Sequence, residues 1–190
     1  MKQIILASTS PRRQDLLENL GIVFGVVSPD YDESLLNKAF SYELIESIAE
    51  NKGLSVQSKI NIPAVIISAD TVVVYNNVVL GKPKDFDDAF KMLTMLNGKT
   101  HKVVTAVCVI DTEKNKKIIK SVTSEVSFNL LKEDEIKNYI YDFQPYDKAG
   151  SYGIQELPEG FIKEVSGEYD NIVGLPTRIL INMLSEISGM

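Results

Sequence analysis

A run of twelve residues, from 64 to 75, reads Ala-Val-Ile-Ile-Ser-Ala-Asp-Thr-Val-Val-Val-Tyr and is largely apolar, yet it contains an acid, Asp70. The abundance of β-branched side chains predicts a long strand in the centre of a sheet. A carboxylate in such a strand is costly to bury unless a cation or a metal meets it. The alternative is a bulge or strand break in which Asp70 bonds to backbone. Because exceptions to burial rules concentrate at functional sites, we expect Asp70 to mark one.

The rest of the chain predicts an α/β fold with a mixed sheet, because strands and helices alternate early and strands dominate the middle. No linker is visible, so we expect one domain, residues 1–190, with two lobes around a cleft. Strands are predicted at 4–7, 22–28, 65–75, 78–80, 103–110 and 118–128, with a hairpin of 161–165 and 169–173. Helices are predicted after Ser10, Ser41 and Asp85, and at 133–141 and 177–187.

The charge balance and the single cysteine exclude several classes. A net charge of -6 argues against general nucleic-acid binding, which needs a broad basic face, but leaves room for a small polyanion in a pocket lined by cations. Cys108 is alone, which excludes an intrachain disulfide and a cysteine-rich zinc site, and its apolar surroundings predict a buried strand residue. No apolar run reaches the roughly 20 residues of a membrane span, and the start lacks a signal-peptide pattern. We therefore expect a cytoplasmic protein without membrane partners.

Two adjacent arginines, Arg12 and Arg13, stand in the first turn of a predicted helix with Pro11 at its first position. The helix dipole already makes this end positive, so a cation here is unfavourable by about 0.3 kcal/mol or more. A bound anion would explain them, since free N–H groups, the hydroxyls of Ser8 and Ser10 and two guanidinium groups would converge on it. The alternative is that both arginines are solvated or pair with nearby acids.

Three lysines are further candidates, although each of them, taken alone, is typical of a solvated surface charge. Lys82 lies between Gly81 and Pro83 directly after the predicted hairpin that carries Asp70, and Lys148 lies in a second predicted loop. Lys52 is predicted near a helix end, where a cation is favoured by the dipole. If the fold brings these lysines together near Asp70, they form a site for a phosphate.

Several catalytic classes lack their residues. The only histidine is His101, which excludes a His pair on zinc and is more typical of a strand entry than of a catalyst. A Ser-His-Asp triad has no Gly-x-Ser-x-Gly elbow, and neither a P-loop nor a Gly-x-Gly-x-x-Gly fingerprint is present. The remaining carboxylates, lysines and arginines fit phosphoryl or nucleotidyl chemistry with oxygen-bound Mg²⁺ or Mn²⁺.

Seven segments in order give the chain a resemblance to the Maf family of nucleotide pyrophosphatases over nearly its full length. They are Leu6–Arg13, Asp32-Glu33, Ser68–Val72, Gly81–Pro83, Gly98–His101, Asp147–Gln155 and Val173–Pro176. Any one alone would be weak, whereas the ordered set is specific. The resemblance implies an elongated α/β fold with a deep cleft, similar to the inosine triphosphatase (Maf/Ham) fold. It also implies hydrolysis of nucleoside triphosphates between the α- and β-phosphates with a divalent cation.

The resemblance further assigns roles to residues. Asp70 corresponds to the family's proton acceptor, and Glu33 to an acidic residue near the metal, so both are candidate ligands of Mg²⁺ or Mn²⁺. Lys82 joins them as a candidate catalytic residue. Candidate phosphate contacts are the segment Ser10–Arg13, with both arginines, and the three lysines Lys52, Lys82 and Lys148. Ser8 is a further candidate substrate-binding residue.

Substrate preference divides the family. The branch that prefers dTTP and UTP has an Arg, a Thr and a Gln at positions that here hold Arg12, Thr71 and Gln155, whereas the 7-methyl-GTP branch has a bulky aromatic at the first. The sequence therefore resembles the dTTP/UTP branch. A regulatory, nucleotide-sensing protein linked to septum formation is the alternative function, and a homodimer is expected by family analogy only. A purely structural domain would leave the helix-start arginines and Asp70 unexplained.

Overall fold

The computed structural model describes residues 2–31 and 39–189, which form seven strands, six α-helices and one 3-10 turn. The strands are β1 (Gln3–Leu6), β2 (Phe24–Val26), β3 (Ala64–Tyr75), β4 (Val78–Leu80), β5 (Thr100–Asp111), β6 (Lys116–Phe128) and β7 (Ile162–Ser166). The helices are α1 (Pro11–Asn19), α2 (Tyr42–Gln57), α3 (Phe86–Leu96), α4 (Glu133–Phe143), α5 (Tyr169–Val173) and α6 (Thr177–Ser188), and the 3-10 turn is Ala149–Ser151.

The strands form one mixed sheet in the order β2-β1-β3-β5-β6-β7, with β4 paired to β3. β1 runs parallel to both β2 and β3, while β3, β5, β6 and β7 pair antiparallel in turn. The α/β class and the mixed sheet predicted from the sequence are confirmed. β3 is the long central strand that its apolar composition predicts, because it pairs with β1 and β4 on one side and with β5 on the other, and almost all of its residues are buried.

One side of β3 has a gap in its pairing among the described residues. On that side β1 pairs with Ala64–Ile67 and β4 pairs with Val73–Tyr75, so the stretch 68–72 lies between the two partners. On its other side β3 pairs with β5 without interruption from Val65 to Val74. Because no described strand fills this gap, side chains from both faces of the sheet can meet there. Successive side chains of a strand point to opposite faces, so neighbouring residues of 68–72 reach the gap from different faces. Asp70 and Thr71 lie in the gap.

Helices cover both faces and both ends of the long strands. α2 packs on one face, where Ile45 and Ala49 meet Ile66. α6 packs on the other, where Leu180 and Met183 join a core with Ile67, Val107 and Val109. α3 and α4 form a third core around Val73, Val103 and Val126 at the far end of the strands. The gap in β3 therefore lies where the cores meet.

Local sequence signals explain where several helices begin. The hydroxyl of Ser41 accepts a hydrogen bond from the Leu44 N–H, and the Asp85 carboxylate accepts one from the Asp88 N–H, as predicted for N-caps. Pro11 is the first residue of α1, and Gly21, with φ of 69°, follows its end. Cys108 is fully buried in β5, which confirms the predicted buried strand residue, and burial raises the pKa of its thiol to about 12.

The second half of the predicted hairpin is wrong. Residues 161–165 overlap β7, but Tyr169–Val173 is the short helix α5 and pairs with no strand that the structure describes. A run of five residues is too short to separate periods of 2 and 3.6. The helix is favoured because the Asn171 side chain is buried and bonds to strand groups, and because Gly174, with φ of 126°, ends the turn.

Candidate active site

A pocket opens at the gap in β3 and contains most of the residues singled out in the sequence. Its lining includes Ser10, Arg12, Arg13, Lys52, Asp70, Thr71, Lys82, Asp147, Lys148, Gly153, Gln155 and Gly174. An apolar part is lined by Val73, Val103, Ala149, Tyr152, Ile154, Ile172 and Val173. Five cationic side chains thus share one opening with a hydrophobic wall, although the whole chain is acidic. The combination suits a ligand with a polyanionic part and a planar apolar part.

Asp70 and Lys52 form a buried ion pair at the charged end. Lys52 Nζ lies 2.6 Å from Asp70 Oδ1, and the two residues are 4% and 5% exposed. Lys52 lies in the interior of α2 on its buried face, so its predicted position near a helix end is wrong. The second carboxylate oxygen, Oδ2, is buried and has no hydrogen-bond partner among the described residues. Asp70 therefore retains an acceptor atom for a water molecule or a cation.

Arg13 joins three separate elements. Its Nε donates to the Gly174 carbonyl at 2.8 Å, Nη2 donates to Thr71 Oγ1 at 3.1 Å, and Nη1 lies 3.3 Å from Ser8 Oγ. The buried Ser8 hydroxyl also accepts from the Ser10 N–H at 3.2 Å. Arg13 therefore does not follow the alternative of pairing with neighbouring acids of α1, because its guanidinium group reaches across to β3 and to the end of α5.

Arg12 reaches the opposite wall of the pocket. Its Nη1 lies 3.2 Å from Asp147 Oδ2, while Asp147 Oδ1 accepts from Lys148 Nζ at 2.8 Å. Lys148 is buried and also pairs with Glu156 at 3.1 Å. Partial burial of Asp147 would raise its pKa, but hydrogen bonds from Lys148 and Arg12 outweigh it and hold the pKa below its ordinary value. Asp147, which lines the pocket, and Glu156, which pairs with Lys148, have roles here that no local pattern in the sequence predicts.

Glycines let the loop 147–155 approach the sheet. Gly150 has φ of 66° and donates its N–H to the Gly81 carbonyl at 3.0 Å, beside Lys82. A Cβ on Gly150 would lie 2.7 Å from a methyl carbon of Val73, so only glycine fits here. This contact brings Lys82, Lys148 and Gln155 to one pocket.

The described oxygen donors around Asp70 are few for a divalent cation. Among residues 2–31 and 39–189, no group of three or more His, Cys, Asp or Glu side chains is placed to hold a metal. Asp70 Oδ2, buried and without a described partner, is nevertheless an oxygen donor of the kind Mg²⁺ and Mn²⁺ prefer. Mg²⁺ is commonly held by one or two carboxylates with water and phosphate oxygens, so this site fits a cation that arrives with a phosphorylated ligand. Glu33 lies outside the described residues.

His101 lies beneath the apolar part of the pocket and is a strand-entry residue as predicted, being the second residue of β5. Its Nε2 lies 2.7 Å from the hydroxyl of Tyr152, which lines the pocket. Burial lowers the pKa of His101 to about 4 and raises that of Tyr152. The neutral imidazole is therefore the folded form at neutral pH.

This pKa predicts a pH dependence of stability. The unfolded histidine, with a pKa of about 6.5, binds a proton that the folded one rejects, so stability is lost as pH falls from about 6.5 towards 4. Between pH 7 and pH 4 the unfolding free energy of the wild type should fall by about 3 kcal/mol more than that of His101→Gln. Urea denaturation at both pH values measures this difference, and parallel pH profiles would contradict it.

These features define the chain as an α/β protein with a cationic pocket, built around one buried acid, for a small polyanionic ligand with an apolar moiety. It belongs to the Maf family: the family model described as "Maf-like protein" matches residues 3–187. The dTTP/UTP pyrophosphatase of Alkaliphilus oremlandii is 44% identical over 176 residues, which cover 93% of this chain and 91% of that protein. The dTTP/UTP pyrophosphatase of Clostridium botulinum strain Eklund 17B is 45% identical, covering 97% and 98%.

Two solved structures show a partial likeness. A nucleoside-triphosphatase, or dITP/XTP pyrophosphatase, from Mycobacterium abscessus has a TM-score of 0.45 at 17% identity, covering 66% of this chain and 74% of that chain. The Staphylococcus aureus Ham1 protein has a TM-score of 0.44 at 14% identity, covering 67% and 72%. Within the described part of the chain, none of the helices combines the length and the apolar character needed to cross a bilayer.

Proposed function

We propose that this protein is a nucleoside triphosphate pyrophosphatase that hydrolyses dTTP and UTP to the monophosphate and pyrophosphate. The observation that carries the proposal is the Asp70 carboxylate, which is buried beside cations with one oxygen lacking a described partner, in a pocket that also has an apolar wall. Relatives at 44% and 45% identity over nearly the full chain bear the name dTTP/UTP pyrophosphatase, which supports the same activity. A cytoplasmic location is proposed with it, since the substrates are intracellular nucleotides.

In the proposed reaction, Asp70 accepts a proton from a water molecule that attacks the α-phosphorus. A bond forms between the water oxygen and the α-phosphorus, the bond from that phosphorus to the bridging oxygen breaks, and pyrophosphate leaves. Lys52 orients the carboxylate through Oδ1, which leaves Oδ2 for the proton. Lys82, Arg13 and Lys148 offset the charge of the triphosphate, because fixed cations in a dry site stabilise developing negative charge.

A divalent cation would be held by Asp70 and, in this proposal, by Glu33, directly or through a water molecule. When bound, Mg²⁺ or Mn²⁺ would neutralise phosphate charge and aid departure of pyrophosphate. Ser8 supports the site through Arg13. Arg12, Thr71 and Gln155 are assigned to the edge of the base, beside the apolar wall formed by residues such as Val73 and Ile172. A homodimer remains a proposal by analogy with the family.

The test is to incubate the protein with dTTP, UTP and a purine triphosphate, with Mg²⁺, with Mn²⁺ or with a chelator, and to separate the products by ion-exchange chromatography. We expect monophosphate and pyrophosphate from dTTP and UTP, in the presence of a metal only. Release of orthophosphate and a diphosphate would contradict the site of cleavage. Tight nucleotide binding without turnover under every metal condition would favour the regulatory, nucleotide-sensing alternative.

A further inference from the structure

Two threonines lie side by side on neighbouring strands, one in the pocket wall and the other behind it. Thr71 on β3 and Thr105 on β5 are register partners in the antiparallel pair, and their Oγ1 atoms are 3.0 Å apart. Thr105 is fully buried, and its hydroxyl lies 2.9 Å from the carbonyl oxygen of Asn171 in α5. Thr71 is partly exposed and lines the pocket.

The direction of the hydrogen bonds follows from counting protons. Each threonine hydroxyl has one proton, and a carbonyl oxygen only accepts, so Thr105 donates to Asn171. In the contact between the two hydroxyls, Thr71 is therefore the donor and Thr105 the acceptor. The other acceptor near Thr71 is the Gly174 carbonyl at 3.4 Å, which already accepts from Arg13 Nε at 2.8 Å. In either orientation the Thr71 proton points at protein.

Arg13 favours the same direction of the hydrogen bonds at Thr71. Its Nη2 donates to Thr71 Oγ1 at 3.1 Å, which is the direction a guanidinium must take because it has no acceptor. Thr71 Oγ1 thus presents a ligand with a lone pair and no proton. Gly174 keeps that oxygen accessible, since a Cβ there would lie 3.4 Å from it.

Thr71 also lies at the start of the apolar wall. Val73, two residues further along β3, projects from the same face, and its register partner Val103 lines the pocket as well. A planar base against this wall would bring its polar edge towards Thr71. Uracil and thymine have an N–H donor at N3, whereas cytosine has an acceptor there and an amino donor at C4.

We propose that Thr105 is a positioning residue for base selection: it fixes the Thr71 hydroxyl as an acceptor, so that the pocket takes uracil and thymine and rejects cytosine. The inference rests on the proposed pyrophosphatase function and assigns the recognised chemical group, the N3–H of the ring. A site that pairs with a polar edge rejects the mismatched edge strongly, because the buried groups stay without partners.

The main test is Thr105→Val, which keeps the shape of the side chain and removes the acceptor for the Thr71 proton. The Thr71 proton then keeps only the long 3.4 Å contact with the Gly174 carbonyl, which already accepts from Arg13, so it can turn to an acceptor on the ligand. The ratio of kcat/KM for UTP over CTP should therefore fall by about tenfold, mainly through a gain for CTP. Thr105→Ser, which retains the hydroxyl, should restore the wild-type ratio.

A matched control addresses α5, which Thr105 also contacts. Ser124 binds the same helix, accepting from Asn171 Nδ2 at 3.0 Å and donating to the Glu168 carbonyl at 2.9 Å, without touching Thr71. Ser124→Ala should leave the UTP/CTP ratio unchanged. An equal loss of selectivity in this variant would mean that displacement of α5 causes it, and would overturn the inference.

A second measurement needs no variant and stands if Thr105→Val does not fold. The wild type is assayed with N3-methyl-UTP, which lacks the N–H, and with C5-methyl-UTP, which retains it. We expect kcat/KM for N3-methyl-UTP to fall by at least about tenfold and that for C5-methyl-UTP to stay near UTP. Equal hydrolysis of N3-methyl-UTP and UTP would overturn the inference. Absence of pyrophosphate release from UTP itself would instead overturn the proposed function.

Discussion

Replacing Asp70 with Asn should lower kcat for UTP by about 10²–10⁴-fold, because the amide cannot accept the proton that the carboxylate takes from water. KM should change far less, since the cations that bind the triphosphate remain. Steady-state kinetics with purified protein in saturating Mg²⁺ or Mn²⁺ measure both. Turnover like that of the wild type would contradict the assignment of Asp70 as the proton acceptor.

The same substitution removes the carboxylate that lies 2.6 Å from the buried ammonium of Lys52. Breaking a buried ion pair from one side is destabilising, here by about 3 kcal/mol, so the variant must be shown to be folded by circular dichroism before its kinetics are compared. Lys52→Met in the Asp70→Asn background is the matched control. It should regain stability and not turnover, which separates the structural role of the pair from its chemical one.

Gly150→Ala should destabilise the protein by about 3–4 kcal/mol. The added Cβ would lie 2.7 Å from Val73, a core residue of the central strand, and alanine is also strained at a φ of 66°. The loop that carries Lys148 and Gln155 would shift, so kcat/KM for UTP should fall as well. Urea denaturation gives the change in unfolding free energy.

Gly21 provides the control for backbone strain. It has φ of 69°, but a Cβ there would meet nothing within 4 Å among the described residues. Gly21→Ala should therefore cost only about 1 kcal/mol and leave kcat/KM unchanged. Similar stability losses in the two variants would show that conformation alone, and not the contact with Val73, requires glycine at position 150.

The acid and the two arginines could be predicted as site residues from the sequence alone, because each breaks a local rule. Asp70 interrupts an apolar strand, and Arg12 and Arg13 oppose the dipole of α1, so both stand out before any tertiary contact is known. Most of the strands, the Asp85 and Ser41 caps and the α/β class follow in the same way from local patterns, whereas the strand predicted at 169–173 is a helix. Glu33 and its role near a metal stay predictions, since that residue lies outside the described part of the chain.

Other site residues break no local rule, and their roles arise from packing between distant segments. Lys52 fits an ordinary amphipathic helix, and only the contact of α2 with β3 buries it against Asp70. Thr105 is an ordinary β-branched strand residue in the sequence, and only the register of β3 with β5 places it opposite Thr71. Asp147 precedes Lys148 in a loop whose path depends on Gly150. Such roles depend on the three-dimensional arrangement rather than on spacing.

The gap in β3 has a consequence for how this strand tolerates change. Asp70 and Thr71 are chain neighbours on opposite faces of β3, so the proposed chemistry on one face and the proposed base selection on the other are coupled through a single peptide bond. Swapping apolar residues elsewhere in the strand would leave that division intact. Inserting or deleting one residue before position 70 would turn the hydroxyl towards Lys52 and the acid towards Arg13, exchanging the two tasks at once. The length of this segment is therefore more constrained than its composition.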